Sequence, residues 1–202
     1  GEKVRTKSRK TQLLELYKDL KKQEESLYSD LNDRSEAELR SKKLFLYFTQ
    51  LGKCMYTGER ISVDSLNNKG ADGHDIYDID HIYPRSVTKD DSLLNNLVLV
   101  KSSANRDKGN EYPIAEPIRT ARRGFWAQLK TSGLITEEKF RRLVRQSHLS
   151  EDELAGFINR QLVETRQAAK AAADLIKQFL PETRLVYVKA GHVSDFRNRQ
   201  SD

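Results

Sequence analysis

The sequence predicts an α+β fold: a small two-stranded ribbon and a short helix, surrounded by amphipathic helices. Three observations carry that expectation. The alternating "IYDID" ending at Asp80 and the apolar "LVLV" at 97–100 both have strand character. The long segments on either side repeat their apolar residues at helical spacing. Finally, 202 residues at 37% hydrophobic can fill one sizeable core with helical extensions. A ribbon of two strands is marginal alone, so the helices must cover its apolar side.

Taken in order, residues 10–31 place Leu13, Leu16, Tyr17, Leu20, Leu27 and Leu31 at near-helical spacing and predict one amphipathic helix. A second helix is expected from Ser35, with Glu38 as its capping-box partner, through "LFLYF" to Leu51, where Gly52 ends it. "CMYTGERIS" reads as a turn between short extended pieces, and "SLNNKGADGHD" as a polar connection. In "IYDID" the alternation sends Ile76, Asp78 and Asp80 to one side and Tyr77 and Ile79 to the other. A hairpin-like loop from Pro84 to Ser92 leads to the second strand, and a short helix near Ser103–Lys108 follows.

Further helices are expected over 117–131, with Phe125 and Trp126 as core residues, and over 137–145. Ser150 and Glu153 form another capping box, opening a long helix that Pro181 stops. "RLVYVKAG" at 184–191 reads as a strand and "HVSDFRNRQ" as an extended or turn segment. The absence of Met before Gly1 and the polar end "RNRQSD" fit an excised domain.

Thirty-six Lys plus Arg against 30 Asp plus Glu give a formal charge of +6, with basic residues gathered in the first ten positions and near 101–108, 119–130 and 139–145. That clustering suits a polyanionic partner. The single cysteine, Cys54, excludes an intramolecular disulfide and a C-x-x-C zinc knuckle. No run approaches the roughly 18 apolar residues that span a bilayer, and no signal-peptide pattern opens the chain, so no membrane partner is expected.

The chemistry concentrates at Asp80 and His81, where an apolar run meets a charged pair and stops at Pro84. Hydrolysis of a phosphodiester needs a base for water, positive charge on the non-bridging oxygens and help for the leaving oxygen. The imidazole of His81 can be the base at neutral pH. Asp80 can bind Mg²⁺, Asn105 can add a neutral amide oxygen from the short helix, and Arg106 or Lys108 can approach phosphate. Each of these residues also has a plain structural reading. His81 can be a hydrogen-bonded structural residue, Asp80, Asn95, Asn96 and Asn105 turn or cap residues, and Lys108 a solvated surface group.

The joined stretches "DIDHIYPRS" and "DDSLLNNLVLVKSSANRDKGN" resemble the His-Asn-His (HNH) nuclease motif of the RNA-guided effector endonucleases of type II CRISPR systems. "LGKCMYTGERI", "FWAQLKTSGLITEEKFRRL", "GFINRQLVETRQAAK" and "VSDFRNR" resemble flanking segments of the same domain in the same order. The resemblance implies a ββα-metal nuclease core that cuts the DNA strand paired with guide RNA, leaving a 5′ phosphate and a 3′ hydroxyl. It casts His81 as general base, Asp80 and Asn105 as ligands of Mg²⁺ (with Mn²⁺ able to substitute), Lys108 as a helix lysine near phosphate, and Asn96 as the orienting middle asparagine. No structural zinc is implied, because Cys54 has no partner cysteines.

It further implies a helical linker region over 1–52, the nuclease domain with flanking helices over 53–180, and a linker over 181–202 toward a RuvC-like domain. The expected partners are the guide-paired target DNA strand and the remainder of the effector, in a prokaryotic cytoplasm serving antiviral defence. The alternative is a degenerate nuclease fold acting as a DNA-binding or regulatory domain.

Overall fold

The computed structural model describes residues 7–184. At its centre, β1 (Tyr77–His81) pairs antiparallel with β2 (Leu97–Lys101), and the register sets Asp80 opposite Val98 and His81 opposite Leu97. Leu97, Val98, Leu99 and Val100 are all buried, so β2 packs on both faces. Its outer edge is closed without a third strand. The Gln50 side chain, itself fully buried, donates from Nε2 to the Leu99 carbonyl and accepts from the Leu99 amide, both at 2.8 Å. Met55 N donates to the same carbonyl at 3.1 Å, and Cys54 Sγ accepts from Lys101 N at 3.3 Å.

Over residues 10–31, where one helix was expected, two form: α1 (Arg9–Tyr17) and α2 (Glu25–Asp33). Between them the Leu20 carbonyl accepts from Gln23 N and Glu24 N, and Leu20 is buried. A straight helix through the charged run at 21–26 would carry Leu27 and Leu31 away from the core that holds Leu13 and Tyr17, and the turn folds them back. The Ser35–Glu38 capping box forms, with Ser35 N donating to Glu38 Oε2 at 2.8 Å and Glu38 N to Ser35 Oγ at 3.2 Å. The Ser35 amide, the Ser35 hydroxyl and Arg34, all donating to it, hold the Glu38 carboxyl down at about 2.

The helix it opens is only a 3₁₀ turn, Glu38–Arg40. Ser41 then caps a new start, accepting from Leu44 N, and α3 (Lys42–Thr49) carries the dense apolar run. Its last residue is Thr49, short of the expected Leu51, and the chain turns away through Leu51 and Gly52, both at positive φ (50° and 63°).

The stretch expected to be a plain loop contains a helical turn, α4 (Arg85–Thr88), which ends on Lys89 in the left-handed region. Then come α5 (Ser102–Lys108), α6 (Glu116–Thr131) and α7 (Glu137–Val144), the last capped by Thr136, whose hydroxyl accepts from Lys139 N at 3.0 Å. Trp126 on α6 is fully buried, and its indole donates to the Met55 carbonyl at 3.0 Å, while Phe125 is only half-buried. Gly58, in the turn that follows Met55, has φ +74°, in the left-handed region that favours glycine.

All of this belongs to a unit comprising residues 1–150. A second unit begins at residue 151 with α8 (Glu151–Phe179), which starts directly after Ser150 and stops before Pro181. The strand expected at 184–191 and the segment after it lie beyond the described residues, apart from Arg184. No described helix is long and apolar enough to cross a membrane.

Candidate active site

Asp78 and Asp80 are two residues apart on β1 and therefore share a face, while Asn105 and Lys108 are three apart on α5 and share one side of that helix. The two pairs meet in register. Asn105 Nδ2 donates to Asp78 Oδ2 at 3.1 Å, and Lys108 Nζ lies 2.9 Å from Asp80 Oδ2. The ββα order thus has a direct side-chain expression, with each strand carboxylate held by a residue of the helix that follows.

Asp80 is buried, and its Oδ2 also accepts a 2.6 Å hydrogen bond from the Tyr56 hydroxyl. Burial first, and the Asp80 charge second, push the Tyr56 phenol well above its usual range, which keeps it protonated as a donor. Lys108 is as deeply placed: its side chain is 2% exposed, it donates to the His81 carbonyl at 3.2 Å, and it lies 6.0 Å from the Tyr56 ring centroid. Rather than reaching into solvent, its ammonium neutralises Asp80. Arg106, on the open side of α5, lines a cleft of about 330 Å³ with Lys69, His74, Asp78 and Ser102.

His81 has a different partner. Its Nε2 lies 2.6 Å from Asp91 Oδ1, and Arg85 Nε approaches the same oxygen at 3.4 Å. The hydrogen bond to His81 is the main cause holding the Asp91 carboxyl below its usual range. Asn96 is fully buried between the two ends of the intervening loop. Its Oδ1 accepts from Tyr83 N at 2.8 Å, and its Nδ2 donates to the Tyr83 carbonyl at 2.9 Å and the Asp90 carbonyl at 2.8 Å. Asn95, by contrast, turns outward to Thr136.

Direct contacts therefore join Asp80, Lys108 and the His81 backbone, while Asn105 joins the same strand through Asp78. Among the described residues no hydrogen bond or ion pair links the His81 ring to Asp80 or to Asn105. Sequence reasoning missed Tyr56 and Asp91. Nothing in "CMYTG" or "KDDS" marks them, because both act through contacts that only the folded loop creates.

The oxygen donors left over are of the kind a hard divalent ion takes. Both contacts of Asp80 fall on Oδ2, leaving Oδ1, and Asn105 spends its NH₂ on Asp78, leaving its carbonyl oxygen. No cluster of three His, Cys, Asp or Glu occurs among the described residues. Mg²⁺ needs none, since it is commonly held by one or two carboxylates with water and phosphate oxygens filling its shell.

A family profile described as HNH endonuclease matches residues 54–114, the stretch that contains Tyr56, Asp80, His81, Asp91, Asn96, Asn105 and Lys108. The chain is 39% identical over 175 residues to the CRISPR-associated endonuclease Cas9 of Listeria innocua and 38% over 174 residues to that of Streptococcus mutans, each match taking in 80% of this chain. It is 32% identical over 170 residues to the Cas9 of Staphylococcus aureus. This is an HNH-type nuclease domain homologous to that of the Cas9 endonucleases. The HNH domain spans 12% of the length of the first two relatives and 16% of the third. Its profile match begins at Cys54 and ends at Ile114, so the ribbon, α5 and the Tyr56 turn all lie within the matched part.

Proposed function

We propose that this HNH domain hydrolyses a phosphodiester in the DNA strand paired with a guide RNA, within a longer RNA-guided effector that also carries a RuvC-like domain and acts in a bacterial cytoplasm. Residues 53–180 form the nuclease part in this reading, and 1–52 and 181–202 connect it to the rest. The observation that carries the proposal is the stacking of Asn105 and Lys108 of α5 on Asp78 and Asp80 beside His81.

His81 takes a proton from water as the water oxygen attacks phosphorus, the bond from phosphorus to the 3′ oxygen breaks, and that oxygen takes up a proton from solvent to leave as the 3′ hydroxyl. Asp80 and Asn105 would hold Mg²⁺, which when bound would supply positive charge to the non-bridging and departing oxygens. Lys108 and Tyr56 keep the Asp80 carboxylate oriented, and Asn96 holds the loop that follows His81. Sequence selection belongs to guide pairing rather than to this domain.

One observation favours a second reading, a DNA-binding or regulatory domain on a degenerate nuclease fold: Asp80 already has a cation, Lys108, against it. Single-turnover cleavage of the guide-paired strand by the parent effector separates the two. His81→Ala abolishes cleavage in the first reading, and Asp80→Ala and Asn105→Ala shift its Mg²⁺ dependence to higher concentration. A His81→Ala effector that cuts at the wild-type rate removes His81 as base.

A further inference from the structure

We propose that Asp91 is the positioning residue for the His81 imidazole, an assignment that rests on the reading of His81 as general base and extends it. The contact of 2.6 Å between Asp91 Oδ1 and His81 Nε2 is the starting point. The Asp91 carboxyl is held below its ordinary range, first by this bond, so at neutral pH it is a carboxylate and only accepts hydrogen bonds. Nε2 must then carry a hydrogen, so that in the neutral ring the lone pair falls on Nδ1. A carboxylate at the far nitrogen does two things for a base: it selects the tautomer and it stops the ring from turning.

The loop that carries Asp91 is fastened on both sides of it. Asp90 accepts from Arg142 Nη1 at 2.7 Å through its side chain and from Asn96 Nδ2 at 2.8 Å through its carbonyl, and its Oδ1 takes Ser92 N at 2.8 Å. Further along, Lys139 Nζ donates to the Leu93 and Leu97 carbonyls at 2.9 and 2.8 Å. Arg142, Asn96 and Lys139 are all buried. Asp90 is therefore committed to the frame of the loop, and its neighbour Asp91 is left for the imidazole, with a side chain 52% exposed. Its only other ion-pair contact among the described residues is Arg85, which is mostly exposed. Replacing Asp91 leaves the frame of the loop standing.

Histidine labelled with ¹⁵N in residues 1–202 reports the tautomer through ring nitrogen shifts, and His81→Ala assigns the signal among the four histidines. The wild type is expected to show the Nε2–H form, and Asp91→Asn to retain it, because an amide oxygen accepts the same hydrogen. Asp91→Ala should give a mixture of tautomers. In the parent effector with guide, Asp91→Ala lowers the single-turnover rate by about 10- to 100-fold, the effect of a misplaced reacting group, with the KM for DNA unchanged. Asp91→Asn restores most of the rate. A wild-type spectrum with the hydrogen on Nδ1 overturns the proposal, as does an Asp91→Ala variant with wild-type tautomer and rate. If His81→Ala is inactive while Asp91→Ala matches the wild type, only the positioning role fails. If His81→Ala cuts normally, the assignment of the base fails.

Discussion

Lys108→Met isolates the energetic centre of the site. The substitution keeps the length of the side chain and removes the charge that faces Asp80 Oδ2 at 2.9 Å, in a pair whose side chains are 2% and 10% exposed. It also deletes the donor to the His81 carbonyl at 3.2 Å. The Tyr56 bond remains but cannot neutralise the carboxylate. Breaking a buried ion pair by removing one partner costs about 3–5 kcal/mol, because the surviving charge stays desolvated. Against a total stability of roughly 5–15 kcal/mol, that leaves a folded but weakened domain.

Urea unfolding followed by the fluorescence of Trp126, the only tryptophan and fully buried, reads this loss directly. The unfolding free energy should fall by about 3 kcal/mol, read as a lower urea midpoint with the slope unchanged. Asp80→Asn combined with Lys108→Met should recover much of it, giving a coupling of at least about 2 kcal/mol in the double-mutant cycle. Additive effects, or a Lys108→Met variant within about 0.5 kcal/mol of wild type, would refute the buried pair as an energetic unit.

Asn96→Ala strips the Tyr83 amide and the Tyr83 and Asp90 carbonyls of a buried partner, and should cost about 3 kcal/mol in the same unfolding assay, with a fall in cleavage as Asp91 loses its frame. Lys139 gives a pH signature. Burial first, and Arg142 second, lower its pKa from 10.5 to about 7, so between those values the unfolded chain binds a proton that the folded chain does not. Stability therefore rises with pH above about 7, by at most about 1.4 kcal/mol per pH unit from this group, and urea titrations on Lys139→Met should lose that slope. The neutral amine still has two hydrogens for the Leu93 and Leu97 carbonyls.

What was legible in the sequence was local or strongly periodic. The "IYDID" and "LVLV" strands, the helix ending at Lys108, the Ser35–Glu38 box and the burial of Trp126 each follow from spacing or residue type. The break after Tyr17 was not, because helical spacing over 10–31 persists through a turn that burial of Leu20 imposes. The early end of the 3₁₀ turn was equally hidden, since Ser41 competes as a cap only once Leu39 is in the core.

At the site, the pattern pointed to Asp80, His81, Asn96, Asn105 and Lys108 as positions, but not to what each one touches. The ammonium of Lys108 on Asp80 is one such contact, a pairing across 28 positions that no local pattern encodes. Asp91 was invisible for a related reason. Its approach to His81 depends on Arg142, far along the chain, gripping the residue beside it.

The Gln50 amide that lies along β2 has a bearing on how so short a ribbon keeps to its own partners. A short hairpin normally offers a ladder of vacant amides and carbonyls onto which a foreign strand can zip. Here the rung at Leu99 is filled by a side chain and the Met55 amide, and the Lys101 amide by a thiol. A stray strand approaching from that flank meets no docking ladder, which guards the hairpin against swapping and fibrillar growth while neighbouring segments are still emerging from the ribosome.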